Sequence, residues 1–154
     1  MSLGLTAPAV VIHLVRPGPE VLLLRLADTL KGIWMSAAGR VEPGEKGWQA
    51  AVREAAEETG LSPHTLYSVD MVEQFYNIAR DRVVVLPVFL GFVEADAKVR
   101  LNEEHDAFRW LSFDDAIERI EFGGQRRILR YIREEFIDRT PSPHLKVDLT
   151  RSSS

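Results

Sequence analysis

Glu54, Glu57 and Glu58 stand three and four residues apart in one acidic run. On a helix turning about 100° per residue, that spacing gathers the three carboxylates within an arc of about 100°. Like charges this close destabilise an isolated helix by a few tenths of a kcal/mol per pair, and Arg53 compensates only partly. A divalent cation offsets the rest. Mg²⁺ takes carboxylate oxygens and keeps part of its octahedron for water and substrate phosphates, and Mn²⁺ can substitute. The bland alternative is a glutamate-rich face exposed to water. Gly39 and Gly44 permit a tight loop before the helix, and Gly60 can supply a left-handed cap after it, which argues against that alternative. The expected helix runs from Trp48 to Thr59. Val52, Ala55, Ala56 and Thr59 are expected to face the core, and the three glutamates, Glu58 included, to point towards solvent.

From Gly39 to Leu61 the chain reads Gly39, five residues, Glu45, seven residues, Arg53-Glu54-Ala55-Ala56-Glu57-Glu58-Thr59-Gly60-Leu61. This resembles the Nudix box, with every specified position present when Ala55 counts as the first apolar one. The resemblance implies a Nudix-type α/β/α sandwich with a mixed sheet, an α/β (α+β) domain. It also implies that Glu57 and Glu58 are metal ligands, Glu54 a ligand or orienter, the carbonyl of Ala38 a further ligand, and Glu45 a residue that orients the others. The entrance departs from the Pro-Gly-Gly of many members, carrying Ala37-Ala38-Gly39 instead. A looser resemblance reaches further. Trp34, the run Glu104-His105-Asp106-Ala107-Phe108-Arg109-Trp110-Leu111, and Gln125-Arg126 are similar to the subgroup of dATP and dihydroneopterin triphosphate pyrophosphohydrolases, where the glutamate at Glu104 is a candidate metal ligand or general base. Tyr76 resembles a tyrosine of diadenosine polyphosphate hydrolases.

Elements must hold these groups in place. Ala9 to Val15 and Val21 to Leu26 predict a hairpin across a Pro- and Gly-rich turn. Val69 to Tyr76 and Val83 to Val93 predict a second pair, in which Pro87 requires an edge position or a bulge. Ala107 to Leu111 is a further strand. Ser112 to Ile120, begun by a serine cap with Asp114 and Asp115 in its first turn, and Gln125 to Asp138 are helices. Phe122, Ile128, Leu129, Ile132 and Phe136 form the apolar stripe of the last one. The glutamates 103 and 104 fall in a loop able to reach a site at the end of the sheet. One domain spans 1–139, and 140–154, with two prolines and a serine terminus, reads as a poorly ordered tail.

Substrate contacts have weaker signals. Trp34 can stack on a base or simply pack, and Arg25 and Arg40 can fork to phosphates or lie on the surface. The four histidines show no metal spacing, and none is assigned as a ligand.

The net charge of −4 repels polyphosphate at long range, so a phosphate substrate needs bound cations. No basic run suited to nucleic acid occurs, so a small nucleotide or nucleoside polyphosphate is the expected partner. The chain has no cysteine, which removes thiolate chemistry and fits a reducing, cytoplasmic location. The start lacks a basic n-region, and Val83 to Val93 is about half a membrane span, so no membrane association is expected. The oligomeric state is open, a homodimer included. The expected activity is Mg²⁺-dependent hydrolysis of a phosphoanhydride in a nucleoside diphosphate-linked substrate, foremost a triphosphate. Diadenosine polyphosphates and ADP-ribose are alternatives. A non-catalytic nucleotide sensor is the rival of another class.

Overall fold

The computed structural model describes residues 4–5 and 9–151. Apolar alternation builds one mixed sheet from β1 (Gly4–Leu5), β2 (Ala9–Arg16), β3 (Glu20–Leu26), β4 (Trp34–Met35), β5 (Ala37–Arg40), β6 (Thr65–Asn77), β7 (Arg82–Phe92), β8 (His105–Leu111) and β9 (Lys146–Val147). The main order is β4-β3-β2-β7-β6-β9, with β8 beside β3, β5 beside β2 and β1 beside β7. Strands β2 and β7 run parallel, and Val11 pairs with Val88. Both central strands are buried on two faces, so their runs are almost continuously apolar.

Helix α1 (Gly47–Thr59) covers one face, where Ala50, Ala51 and Ala55 are fully buried against Ile12, Leu14, Leu22 and Leu24. Three alanines permit a close approach of helix to sheet. Helices α2 (Phe113–Arg119) and α3 (Gly123–Ile132) cover the other, where Phe113, Ile128, Leu129 and Ile132 pack on Val15, Val21, Leu23 and Leu90. This is the expected α/β/α sandwich. Ser112 caps α2, accepting the amide of Asp115 at 3.1 Å.

Several expectations are corrected. Ala56 is exposed, because the buried stripe of α1 follows Ala51, Ala55, Glu58 and Thr59 at helical spacing. Glu58 therefore lies on the core side and is only 2% exposed. Phe122 is the N-cap of α3 and stays 44% exposed, outside the apolar stripe. Of the two alternatives for Pro87 the bulge is the one found: β7 is interior, and register shifts between Ser68 and Val72 of β6, opposite Pro87, where Asp70 has φ 66°. The last helix continues through a π-turn, Arg133–Ile137. Beyond it, residues read as an unstructured tail form a short 3₁₀ helix, Pro143–Leu145, and β9, in which Val147 pairs with Leu66. Leu145 packs on one core, and Val147 and Leu149 on the other, which accounts for the regular structure there.

Candidate active site

Three elements converge at the end of the sheet: α1, strand β5 and the loop leading into β8. The entry of α1 is set by Gln49, whose side-chain oxygen accepts the amide of Lys46 at 2.8 Å. Its exit is set by Gly60, whose φ of 73° is the left-handed cap that favours glycine. Between these ends Arg53 organises the acids. Its guanidinium donates to both oxygens of Glu45 at 2.8 and 3.0 Å, to Glu54 at 2.8 Å, to Glu57 at 3.2 Å and to the carbonyl of Arg40 at 2.7 Å. Arg53 therefore does more than soften repulsion, since it joins three of the box glutamates to the β5 loop. The same hydrogen bonds hold the Glu45 carboxyl below its usual range and raise the pKa of Arg53.

Glu54 lies over the backbone of Gly39. A Cβ at Gly39 would sit 2.1 Å from the carboxyl carbon of Glu54, so glycine is required there for space. Replacing Gly39 with Ala should expel Glu54 from this position and lower kcat/KM by roughly 10²-fold, the effect of about 1 Å of misplacement in a site. Steady-state kinetics beside circular dichroism would check this; an Ala variant with unchanged kcat/KM would contradict it.

Glu58 is the buried member. Burial, then a hydrogen bond with Glu54, then the charges of Glu104 and Glu54 push its carboxyl up to about 9, against an amide hydrogen bond from Ala38. Its Oε1 lies 3.8 Å from Nε2 of His105, and its Oε2 is buried without a hydrogen-bond partner. Glu104, which is exposed, also has a raised pKa, from partial burial and then the charges of Glu54, Glu57 and Glu103. Burial lowers that of His105, so this imidazole is neutral near pH 7. One ligand atom each from Glu58, Glu104 and His105 lie within 4.8 Å of one another. Two carboxylates, a neutral imidazole and an orphaned carboxylate oxygen fit a divalent cation, whose charge would stabilise the ionised acids. Sequence spacing alone assigns no histidine as a ligand, so His105 enters only with the structure. Its adjacency to Glu104 was the available signal.

The remaining candidates supply no atom to this group of three. Trp34 is half-buried and packed against the core beneath α2 and α3, with the guanidinium groups of Arg25 and Arg119 at 5.8 and 5.4 Å from its ring. Arg25 is also bound to Asp106 at 2.7 Å. Arg40 is exposed on β5. Tyr76 lies at the distal end of β6, opposite Val83, with its hydroxyl donated to Asp81. Among the described residues, no helix is long and apolar enough to cross a membrane.

A glutamate-bearing helix laid against the end of a mixed sheet between helices is the layout of a Nudix domain. The NUDIX domain family model matches residues 5–132. Over 125 residues the chain is 32% identical to a bis(5'-nucleosyl)-tetraphosphatase (asymmetrical) of Rattus norvegicus, covering 80% of this chain and 84% of that protein. It is 42% identical over 122 residues to an octanoyltransferase of Myxococcus xanthus, spanning 73% of this chain but only 32% of that protein's length. The structure is similar to a C. elegans Ap4A hydrolase binary complex, with TM-score 0.68, 28% identity and coverage of 82% of this chain and 96% of the other. The chain belongs to the NUDIX family and is a Nudix hydrolase of nucleotide phosphoanhydrides.

Proposed function

We propose that the chain hydrolyses a nucleoside triphosphate or a related triphosphate to a monophosphate and pyrophosphate. The observation that carries this reading is the convergence of Glu58, Glu104 and His105 within 4.8 Å, beside Glu54. Glu54, Glu57, Glu58, Glu104 and the carbonyl of Ala38 would hold Mg²⁺, with Mn²⁺ as a substitute. A metal held by these residues would supply charge neutralisation of the polyphosphate, polarisation of its phosphoryl oxygens and a more acidic water.

The protein's own groups supply the rest. Water attacks phosphorus, the bridging P–O bond breaks, and the proton leaving the water passes to a carboxylate, for which exposed Glu104 is suited. Arg53 holds Glu54 and Glu57 in orientation, and neutral His105 faces Glu58 from within the fold. We read the substrate as a free, cytoplasmic small molecule, with neither nucleic acid nor membrane as partner.

A second substrate has specific support. The 32% identity to a bis(5'-nucleosyl)-tetraphosphatase favours a dinucleoside tetraphosphate. A panel of nucleoside triphosphates, dihydroneopterin triphosphate, diadenosine tetraphosphate and ADP-ribose, assayed with Mg²⁺, separates the two. We expect triphosphates to be cleaved faster than ADP-ribose. Preference for diadenosine tetraphosphate moves the assignment to the second reading, and preference for ADP-ribose overturns both.

A further inference from the structure

The outer edge of β6 carries a surface that the carboxylate site does not use. Among the described residues eight large apolar side chains are exposed, and five of them, Met71, Val72, Phe75, Tyr76 and Ile78, fall within eight consecutive positions. Scattered singly, such residues are ordinary; gathered on one strand, they mark a surface that another molecule covers. Glu73 is the one charged residue in that stretch, and it is buried towards α3, accepting from the side chain of Gln125 at 3.3 Å. The edge therefore lacks the exposed charges that keep strand edges apart.

Its backbone is unpaired as well. Strand β7 follows β6 on one side to Asn77, whereas β9 reaches only Leu66 and Tyr67 on the other. The bulge at Asp70 separates the rest of the edge from β9, because the extra residues bend the strand. Among the described residues no strand lies outside 72–77, where alternate N–H and C=O groups face outwards.

We infer that this edge docks a second copy of the chain, β6 against β6, antiparallel about a twofold axis. Such an interface is self-complementary, each strand offering the other the backbone groups it lacks. A register centred on Phe75 sets Phe75 against Phe75 of the second copy, Glu73 against Asn77, Gln74 against Tyr76 and Val72 against Ile78. Each of these pairs shares one face of the joined sheet. Just beyond them, the same register brings Asp70 opposite Arg80 of the second copy, and the twofold axis makes that contact twice. Among the described residues neither Asp70 nor Arg80 has an ion-pair partner within the chain. This charge complementarity favours a copy of the same chain over an unrelated strand. In the sheet, β2 and β7 stand between this edge and β3, beside which β8 follows the Glu104 loop, so both carboxylate sites stay open in the dimer.

One strand per copy is a small interface, so association in the micromolar range is expected. Sedimentation velocity of the full chain from about 1 µM to about 500 µM should show monomer passing to dimer. Ile78 is 85% exposed, so Ile78→Lys leaves the monomer fold unchanged; it sets a charge against Val72 and should weaken the dimer about tenfold or more. Arg80→Glu sets like charges together at Asp70 and should weaken it similarly. Adding Asp70→Asn removes that repulsion, keeps a residue that tolerates φ 66°, and should recover part of the loss. Circular dichroism of each variant at the dilute end should match the parent. In amide exchange, 72–77 should gain protection as the parent dimer forms. A monomer at every concentration, a dimer that Ile78→Lys and Arg80→Glu both leave as tight as the parent, or protection gained elsewhere with none at 72–77, overturns the proposal.

Discussion

Replacing Glu58 with Gln should lower turnover by at least roughly 10- to 100-fold, the span expected when a group that holds or orients a metal is removed, while leaving the fold intact. The amide keeps the shape of a side chain that is 2% exposed, so packing in α1 is retained. What it loses is the ability to become an anion facing Glu104 and His105. The same variant should also change how stability depends on pH. Glu58 has a folded pKa of about 9 against an ordinary 4.5, so between these values the fold retains a proton that the unfolded chain has released. Its contribution is full below about 4.5 and is lost as pH rises through 9. His13, buried and lowered from 6.5 to about 4, acts in the opposite sense: its contribution is full above 6.5 and lost as pH falls towards 4. Above 6.5 the His13 contribution is constant, and comparison with Glu58→Gln separates this carboxyl from Glu73 and Glu104, which burial also raises. Without metal, the melting temperature of the parent should fall between pH 6.5 and 9, and that of Glu58→Gln should fall less. Mg²⁺ should stabilise the parent more at the alkaline end, because the metal must displace the proton. Parallel melting curves, or wild-type turnover in the variant, would contradict the assignment.

The second large effect is expected at Glu104, on the loop that closes the cluster opposite α1. Its backbone is fixed from two sides, the carbonyl accepting the amide of Ala27 at 3.0 Å and its own amide donating to Asn102 at 3.2 Å. This brings its side chain within ligand distance of Glu58 and His105, whereas Glu103 is absent from that group. Glu104→Gln should reduce kcat by roughly 10²- to 10⁴-fold with a smaller change in KM, and Glu103→Gln should be mild. Kinetics of both at saturating Mg²⁺ decide the matter. Equal activity in the two, or loss only at Glu103, defeats the role given to Glu104.

Much of this arrangement was legible in the chain before any coordinates. The 3.6-residue period placed α1, the apolar runs placed the five long strands within a few residues, and the box spacing identified the acids. What the period also held, but the expectation missed, is that Ala51, Ala55 and Glu58 fall at i, i+4 and i+7 on one stripe. Assigning all three glutamates to the solvent face overlooked this, because local patterning treats an acid as polar and cannot see a neighbour that tolerates its burial. That neighbour is His105, forty-seven residues later in the chain, brought close by the pairing of β8 with β3. The role of Gly39 was equally hidden, since its space is defined by Glu54 from another element. The tail was misread because two prolines and a serine terminus outweighed the alternating Leu145, Val147 and Leu149, whose partners lie in cores no local window contains.

The central claim is that this carboxylate cluster, loaded with a divalent cation, breaks a phosphoanhydride bond. Its most direct test follows purified protein with a nucleoside triphosphate by ³¹P NMR, first in excess EDTA, then after Mg²⁺ is restored, with Glu58→Gln in parallel. The account predicts no turnover in EDTA, monophosphate and pyrophosphate on adding Mg²⁺, and little of either from the variant. Full turnover in EDTA, or equal turnover by the variant, would contradict it.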